Sequence, residues 1–224
     1  MSPGGKSKPV LVCLVGIDGS GKTTLAKGLV QMLCAHGVEA SYLWGGFAGF
    51  TLLGPLVALV KAIVIDYERD MEHVEIKGRV PKSGFVSRVY HGLLLFDYVL
   101  QAFFRIRLPL AFGRSVICDR YIYDLTTTIG VVLDYSADRT LSLLDRCLTF
   151  LPKPDLVYLV DLPEALAYER KDDIVSIDFL SVRRGVFLQM ARQHGMAILD
   201  GEAEPRQLEE LVVEDVLQYM EGQS

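Results

Sequence analysis

The densest chemistry in the chain lies in Gly16-Ile17-Asp18-Gly19-Ser20-Gly21-Lys22-Thr23, which satisfies G-x-x-x-x-G-K-[ST]. Glycines at 16, 19 and 21 let successive backbone N–H groups turn inward around phosphate oxygens without Cβ clashes. A helix opening at the end of this stretch adds partial positive charge from its N-terminus. Lys22 can reach the β- and γ-phosphates of a nucleotide, and the Thr23 hydroxyl can ligate Mg²⁺. Typical residue frequencies give such a match about one chance in a hundred in a chain this long. Gly16, Asp18, Gly19, Ser20, Gly21, Lys22, Thr23 and Thr24 are therefore the candidate nucleotide-binding residues.

Asp119-Arg120-Tyr121 forms a second constellation, at the end of the apolar run Ser115–Cys118. Asp119 can hold Mg²⁺, directly or through water, and Arg120 can clamp a phosphate bidentately. An ordinary Asp–Arg pair at a strand end explains it equally well in isolation, but far less well beside a phosphate loop. Asp161 ends another apolar run, and capping of the next helix accounts for it as readily as catalysis. Glu169-Arg170-Lys171-Asp172-Asp173 has the composition of a solvated helix end. In a phosphotransferase such a segment can close over the phosphates, so 168–176 is the candidate lid, with Arg170 first and Lys171 second as its phosphate contact.

The elements that position these groups follow from periodicity. Val10–Val15 is a β-branched run suited to a strand buried on both faces, and Leu25, Leu29, Met32 and Leu33 follow at helical spacing. Further strands are expected at Glu39–Trp44, Ser115–Cys118, Leu156–Val160 and Met196–Leu199. Helices are expected over 51–66, over 85–110, once or twice before Phe150, after Pro163, from Ser176 to His194, and from Pro205 to Met220. Tyr67 to Ser83 reads as a mobile loop. Strands alternating with helices predict a three-layer, doubly wound parallel sheet of about five strands, of the P-loop NTPase type. Residues 1–9 are polar and Gly/Pro-rich, expected to be a disordered tail, with a single domain over 10–224.

Composition narrows the partners. A net charge of −5 argues against a nucleic-acid-coating surface. Cys13, Cys34, Cys118 and Cys147 are scattered and the histidines share no ligand spacing, so buried thiols in a reducing cytoplasm are expected rather than disulfides or zinc. Mean hydropathy is high at +0.29, owing to Leu52–Ile65 and Gly92–Phe112. The first run is short and contains Lys61, while the second carries Asp97, Arg105 and Arg107, which disfavours a transmembrane span. The helix 85–110 is apolar almost all round and is expected to serve as a homodimer interface, burial within one subunit being the plainer alternative.

Taken together, G-x-D-G-S-G-K-T-T, V-I-C-D-R-Y and P-D-L-V-Y-L-V-D-L-P-E with its following E-R resemble the thymidylate kinases, and R-R-x-x-F and I-L-D-G-E extend the likeness over nearly the whole chain. The resemblance implies a homodimer that uses ATP and Mg²⁺ to convert dTMP to dTDP. It implies that Asp18 binds the acceptor sugar's 3′-hydroxyl, that Lys22 and Thr23 serve ATP and Mg²⁺, and that Asp119 and Arg120, next to Tyr121, serve metal and acceptor phosphate. Phe96 would stack on thymine. The loop lacks the arginine of some relatives, which implies a lid arginine and agrees with Arg170.

Two departures stand out. Trp44-Gly45-Gly46-Phe47 replaces an R-E-P-G-G-T-like stretch, and the thymine-reading arginine after Leu94-Leu95-Phe96 is Leu100, with Gln101 beside it. A base pocket without its polar reader discriminates poorly or prefers another acceptor. Two other readings follow: a same-fold kinase for another nucleotide, nucleoside or small acceptor, and a non-catalytic ATP-binding interaction protein. A GTPase would need N-K-x-D, which the sequence lacks.

Overall fold

A computed structural model describes residues 8–46, 84–171 and 176–223. The expected helix 51–66, the loop 67–83 and most of the tail lie outside them. The described elements are β1 (Leu11–Val15), α1 (Lys22–Ala35), β2 (Ala40–Trp44), α2 (Gly84–Ala111), β3 (Ser115–Asp119), α3 (Ile122–Val132) and α4 (Ala137–Leu148). They continue with β4 (Leu156–Asp161), α5 (Glu164–Glu169), α6 (Ile177–His194), β5 (Ala197–Asp200) and α7 (Pro205–Glu221). The strands form one all-parallel sheet in the order β2-β3-β1-β4-β5.

The sheet is covered on both faces. Alternation along β1 sends Val10, Val12 and Leu14 toward a layer made by α1 and α7, where Leu29, Leu33, Val212 and Val216 are fully buried. Leu11, Cys13 and Val15 face the opposite layer, built from α2, α3, α4 and α6, with Ile106, Ile122, Leu144 and Phe187 at its centre. The four cysteines are free; Cys13, Cys118 and Cys147 are buried, and burial pushes the Cys13 thiol well above its ordinary range.

Local signals set the helix ends. The Ser176 hydroxyl accepts from the Phe179 N–H at 3.2 Å and caps α6, and Pro205 occupies the first turn of α7. The helix expected after Pro163 is short and closes at Glu169. In α2, Leu94, Tyr98, Ala102 and Ile106 repeat every four residues and are buried, whereas Phe96, Phe104 and Leu108 are exposed, as is Phe112 just past its end. That helix is thus buried along one side and apolar on another.

Candidate active site

Beyond the carboxyl end of the sheet, β1 feeds the loop 16–21 and then α1. Gly19 has φ +85°, and a Cβ there would sit 2.5 Å from the Ala167 carbonyl oxygen, so the turn excludes a side chain. Gly21 caps α1 without any side-chain hydrogen bond, leaving the first-turn N–H groups of the helix, Thr23 and Thr24 among them, for an anion. The Lys22 ammonium folds back into the loop, donating to the Ile17 carbonyl at 2.5 Å and the Ser20 hydroxyl at 3.1 Å. Burial, seconded by the Arg120 charge, pushes Lys22 down to about 8. This is a cationic cradle in need of an anion.

Asp119 comes to the loop through strand register. Its Cα pairs with Leu14 across β3–β1, and the next residue's N–H, Arg120, donates to the Leu14 carbonyl at 2.8 Å. The Asp119 side chain is fully buried. Its Oδ2 accepts from the Thr23 hydroxyl at 2.5 Å and from the Tyr42 hydroxyl at 3.1 Å. Burial and the Asp119 charge push the Tyr42 phenol up to about 12, which keeps it a donor at neutral pH. Oδ1 of Asp119 is buried without a partner. A buried, unsatisfied carboxylate oxygen is costly, and a divalent cation shared with Thr23 and phosphate oxygens would satisfy it. No cluster of three or more acidic, histidine or cysteine ligands exists among the described residues, so a cation here would depend on the nucleotide for further oxygens.

The turn after Asp119 is strained. Arg120 and Tyr121 have φ of 84° and 103°, a conformation costing about 1–3 kcal/mol per non-glycine residue. The surroundings enforce it. The Gly45 N–H donates to the Asp119 carbonyl at 2.8 Å, and the Tyr98 hydroxyl donates to the Gly45 carbonyl at 2.7 Å. A Cβ on Gly45 would lie 2.7 Å from Cys118 Sγ and 2.9 Å from the Tyr121 nitrogen. Tyr121 is completely buried, its hydroxyl donating to the Pro152 carbonyl at 2.9 Å. Its side chain therefore braces the turn.

The strained turn aims Arg120 at two carboxylates: Asp18 at 2.5 Å and Asp124 at 3.0 Å. Arg183 of α6 reaches the same pair, Asp18 at 3.0 Å and Asp124 at 2.6 Å. Burial alone would raise the Asp18 carboxyl, but Arg183 and Arg120 outweigh it and hold the group well below the usual carboxylate range. Sequence reasoning missed Arg183, Asp124 and Tyr42 as site residues. The i,i+4 spacing of Arg120 and Asp124 was a usable signal for one of them.

The remaining candidates are dispersed. Gln101 donates to Asp97 Oδ2 at 2.6 Å and lines a pocket with Trp44, Gly45, Tyr98, Arg105 and Tyr121. Phe96 is 56% exposed and does not line it. Arg170, the expected lid contact, donates to the Gly201 carbonyl at 3.2 Å. Asp161 is held bidentately by Arg184 at 2.7 and 2.9 Å, with Glu164 on the same guanidinium at 2.8 Å, so in this structure it serves to tie β4 and α5 to α6. Of the lid, 172–175 lie outside the described residues.

No family model matches the chain. Curated relatives do. The probable thymidylate kinase of Pyrococcus abyssi is 33% identical over 154 residues, covering 68% of this chain and 64% of the relative, so this match spans less than two thirds of that protein. The probable thymidylate kinase of Methanosarcina acetivorans is 28% identical over 222 residues, 94% of this chain and 97% of the relative. The thymidylate kinase of Ligilactobacillus salivarius is 26% identical over 189 residues, 80% and 82% of the two chains.

Proposed function

This chain is a divergent member of the thymidylate kinase family, and from that premise we propose that it transfers the γ-phosphoryl group of ATP to a nucleoside monophosphate, dTMP before others, giving the diphosphate and ADP. The observation that carries the reading is the placement of Asp119, with its partnerless Oδ1, against the hydroxyl of Thr23 and beside the phosphate loop. Asp119 and Thr23 would hold Mg²⁺, which would supply charge neutralisation for the nucleotide's phosphates. The N–H groups of the loop and of the first turn of α1 bind the phosphates, and Lys22 exchanges Ile17 and Ser20 for phosphate oxygens. Tyr42 orients Asp119 through Oδ2. Arg120 sits between donor and acceptor sites and neutralises charge as the phosphoryl group passes. Asp18, once released from its arginines, accepts from the acceptor's 3′-hydroxyl. Most of the acceleration on this reading is positioning and electrostatics, because phosphoryl transfer asks little covalent chemistry of the protein.

Three finer elements belong to the same proposal. Arg170 leaves Gly201 and joins the phosphates when the segment around 168–176 closes. The exposed apolar residues Phe96, Phe104 and Leu108 of α2, with Phe112 beyond its end, pair with the same residues of a second copy. The protein works in the reducing cytoplasm, in keeping with its free thiols; among the described residues no helix is long and apolar enough to cross a membrane.

A second reading, a same-fold kinase with another acceptor, is favoured by one observation. The pocket beside Tyr121 presents Gln101 and Arg105, where Leu100 cannot read a base. ADP release with ATP·Mg²⁺ against a panel of nucleoside monophosphates, with Lys22→Ala as control, decides. Turnover with dTMP supports the first reading and turnover with another acceptor the second. ATP binding with no transfer to any acceptor overturns both and leaves a binding module.

A further inference from the structure

Arg120, Asp18, Arg183 and Asp124 close a ring of four ion pairs. Each arginine reaches both carboxylates, and each carboxylate receives both arginines. The ring joins three parts of the chain distant in sequence: the nucleotide loop, the β3–α3 turn and the middle of α6. Its members differ in accessibility. Arg183 is 4% exposed and Asp124 14%, whereas Arg120 and Asp18 are 18% and 20% exposed, so a solute meets the Asp18 edge first.

Within the ring the two aspartates do different things. Asp124 accepts both guanidiniums on one oxygen, Oδ1, from the first turn of α3, and fixes them side by side. Asp18 spreads its two oxygens, Oδ1 to Arg120 and Oδ2 to Arg183. That is how a planar anion bridges two guanidiniums, and a phosphate presents the same two-oxygen edge with more charge and a further acceptor. The ring also leaves Nε of Arg120 and Nε of Arg183 buried without a partner, so its guanidiniums offer more donors than the two carboxylates take up. Phe179 and Phe187 stack near the Arg183 guanidinium, at 5.4 and 5.9 Å from ring centroid to carbon, and hold it in place when a carboxylate leaves.

We propose that Arg183 and Arg120 together form a seat for a phosphomonoester dianion, and that the Asp18 carboxylate occupies this seat as an internal substitute until the acceptor's phosphate displaces it. The proposal rests on the kinase reading above and adds Arg183 to its acceptor-binding residues. Displacement couples two events. The arriving phosphate takes the guanidiniums, and the freed Asp18 becomes available to a sugar hydroxyl, so a nucleoside without phosphate meets an Asp18 still engaged.

The test uses inorganic phosphate as the probe, titrated calorimetrically into the full chain with the nucleotide loop already filled by a non-hydrolysable ATP analogue and Mg²⁺. Asp18→Asn removes the competing charge and is expected to tighten phosphate about tenfold. Arg183→Lys keeps a cation but loses the planar fork, and is expected to weaken it about tenfold. A purely structural ring predicts a lowered urea midpoint in both variants with the phosphate Kd unmoved, and an unmoved Kd in either variant overturns the proposal. Should Asp18→Asn not fold, Arg183→Lys decides by itself. The readout needs no turnover. Phosphate affinity indifferent to both variants in a chain that phosphorylates dTMP sinks the seat alone; the expected pattern in a chain that phosphorylates nothing sinks the kinase reading alone.

Discussion

Thr23 and Asp119, 96 positions apart in sequence, meet through a 2.5 Å hydrogen bond from the threonine hydroxyl to Oδ2, while Oδ1 of the same carboxylate is buried and unpartnered. A bare carboxylate oxygen beside a phosphate loop predicts a specific defect. Asp119→Asn retains the shape and the Thr23 contact but loses the charge. We expect turnover to fall on the order of a hundredfold. Mg²⁺ should also cease to tighten ATP binding, while metal-free ATP still binds. Calorimetric ATP titrations with and without Mg²⁺ check this, and Mg²⁺ enhancement undiminished in the variant would place the metal elsewhere.

Lys22 gives a pH prediction. In the free chain it stands at about 8, lowered from 10.5 by burial first and by Arg120 second. A bound polyphosphate favours the ammonium and raises that value again, so the complex holds a proton that the free chain has lost above pH 8. ATP affinity should therefore be level below pH 8 and fall above it, approaching tenfold per pH unit. Calorimetry at pH 9 in two buffers of different ionisation heat should register proton uptake, which Lys22→Met should abolish.

Gly45 is constrained by neighbours on two sides. Its hypothetical Cβ is 2.7 Å from Cys118 Sγ and 2.9 Å from the Tyr121 nitrogen, within the turn that holds Arg120 at positive φ. Gly45→Ala should lower stability by about 1–3 kcal/mol, as overpacking does. It should also shift Arg120 enough to lower kcat. Thermal unfolding and steady-state rates measure both, and a variant with normal Tm and kcat would show that the turn has room to adjust.

The exposed apolar side of α2 tests the dimer proposal. Phe104→Glu or Leu108→Arg places a charge on a surface now 54% or 53% exposed, so a lone subunit should tolerate either within about 0.5 kcal/mol. In an assembly, the same charge is buried unpaired. Sedimentation should shift from two subunits to one. A wild-type chain that sediments as one subunit at micromolar concentration removes the premise.

Local patterns were legible in the sequence. The apolar run before the glycines, the Ser176 cap and the apolar spacing of α1 and α7 each depend on neighbours within a few residues, and the strands lie within about a residue or two of their expected bounds. The ion ring was not legible. Arg183 and Arg184 are adjacent, and neighbouring residues on a helix point in different directions. One turns to Asp18 and the other to Asp161 and Glu164, and only the packing of α6 on the sheet decides which. Tyr42 reaches Asp119 because β2 pairs with β3, a fact of strand order that β2 does not encode by itself. Arg170 stands between the two cases: the local charge cluster singled it out, and its guanidinium rests on the Gly201 carbonyl, a partner 31 positions away that the cluster does not reveal.

The position of β1 has a consequence for how the chain is made. Of the described strands this central one is made before the others, yet its partners are β3, at Leu14↔Asp119, and β4, at Val15↔Leu159. At ordinary translation speeds, on the order of ten seconds separate β1 from the completion of β4. Until β3 and β4 are made, V-L-V-C-L-V lacks its strand partners, the profile of a segment that associates with other nascent chains. The stretch that makes the nucleotide loop possible thus waits longest between its own synthesis and the pairing of its second edge.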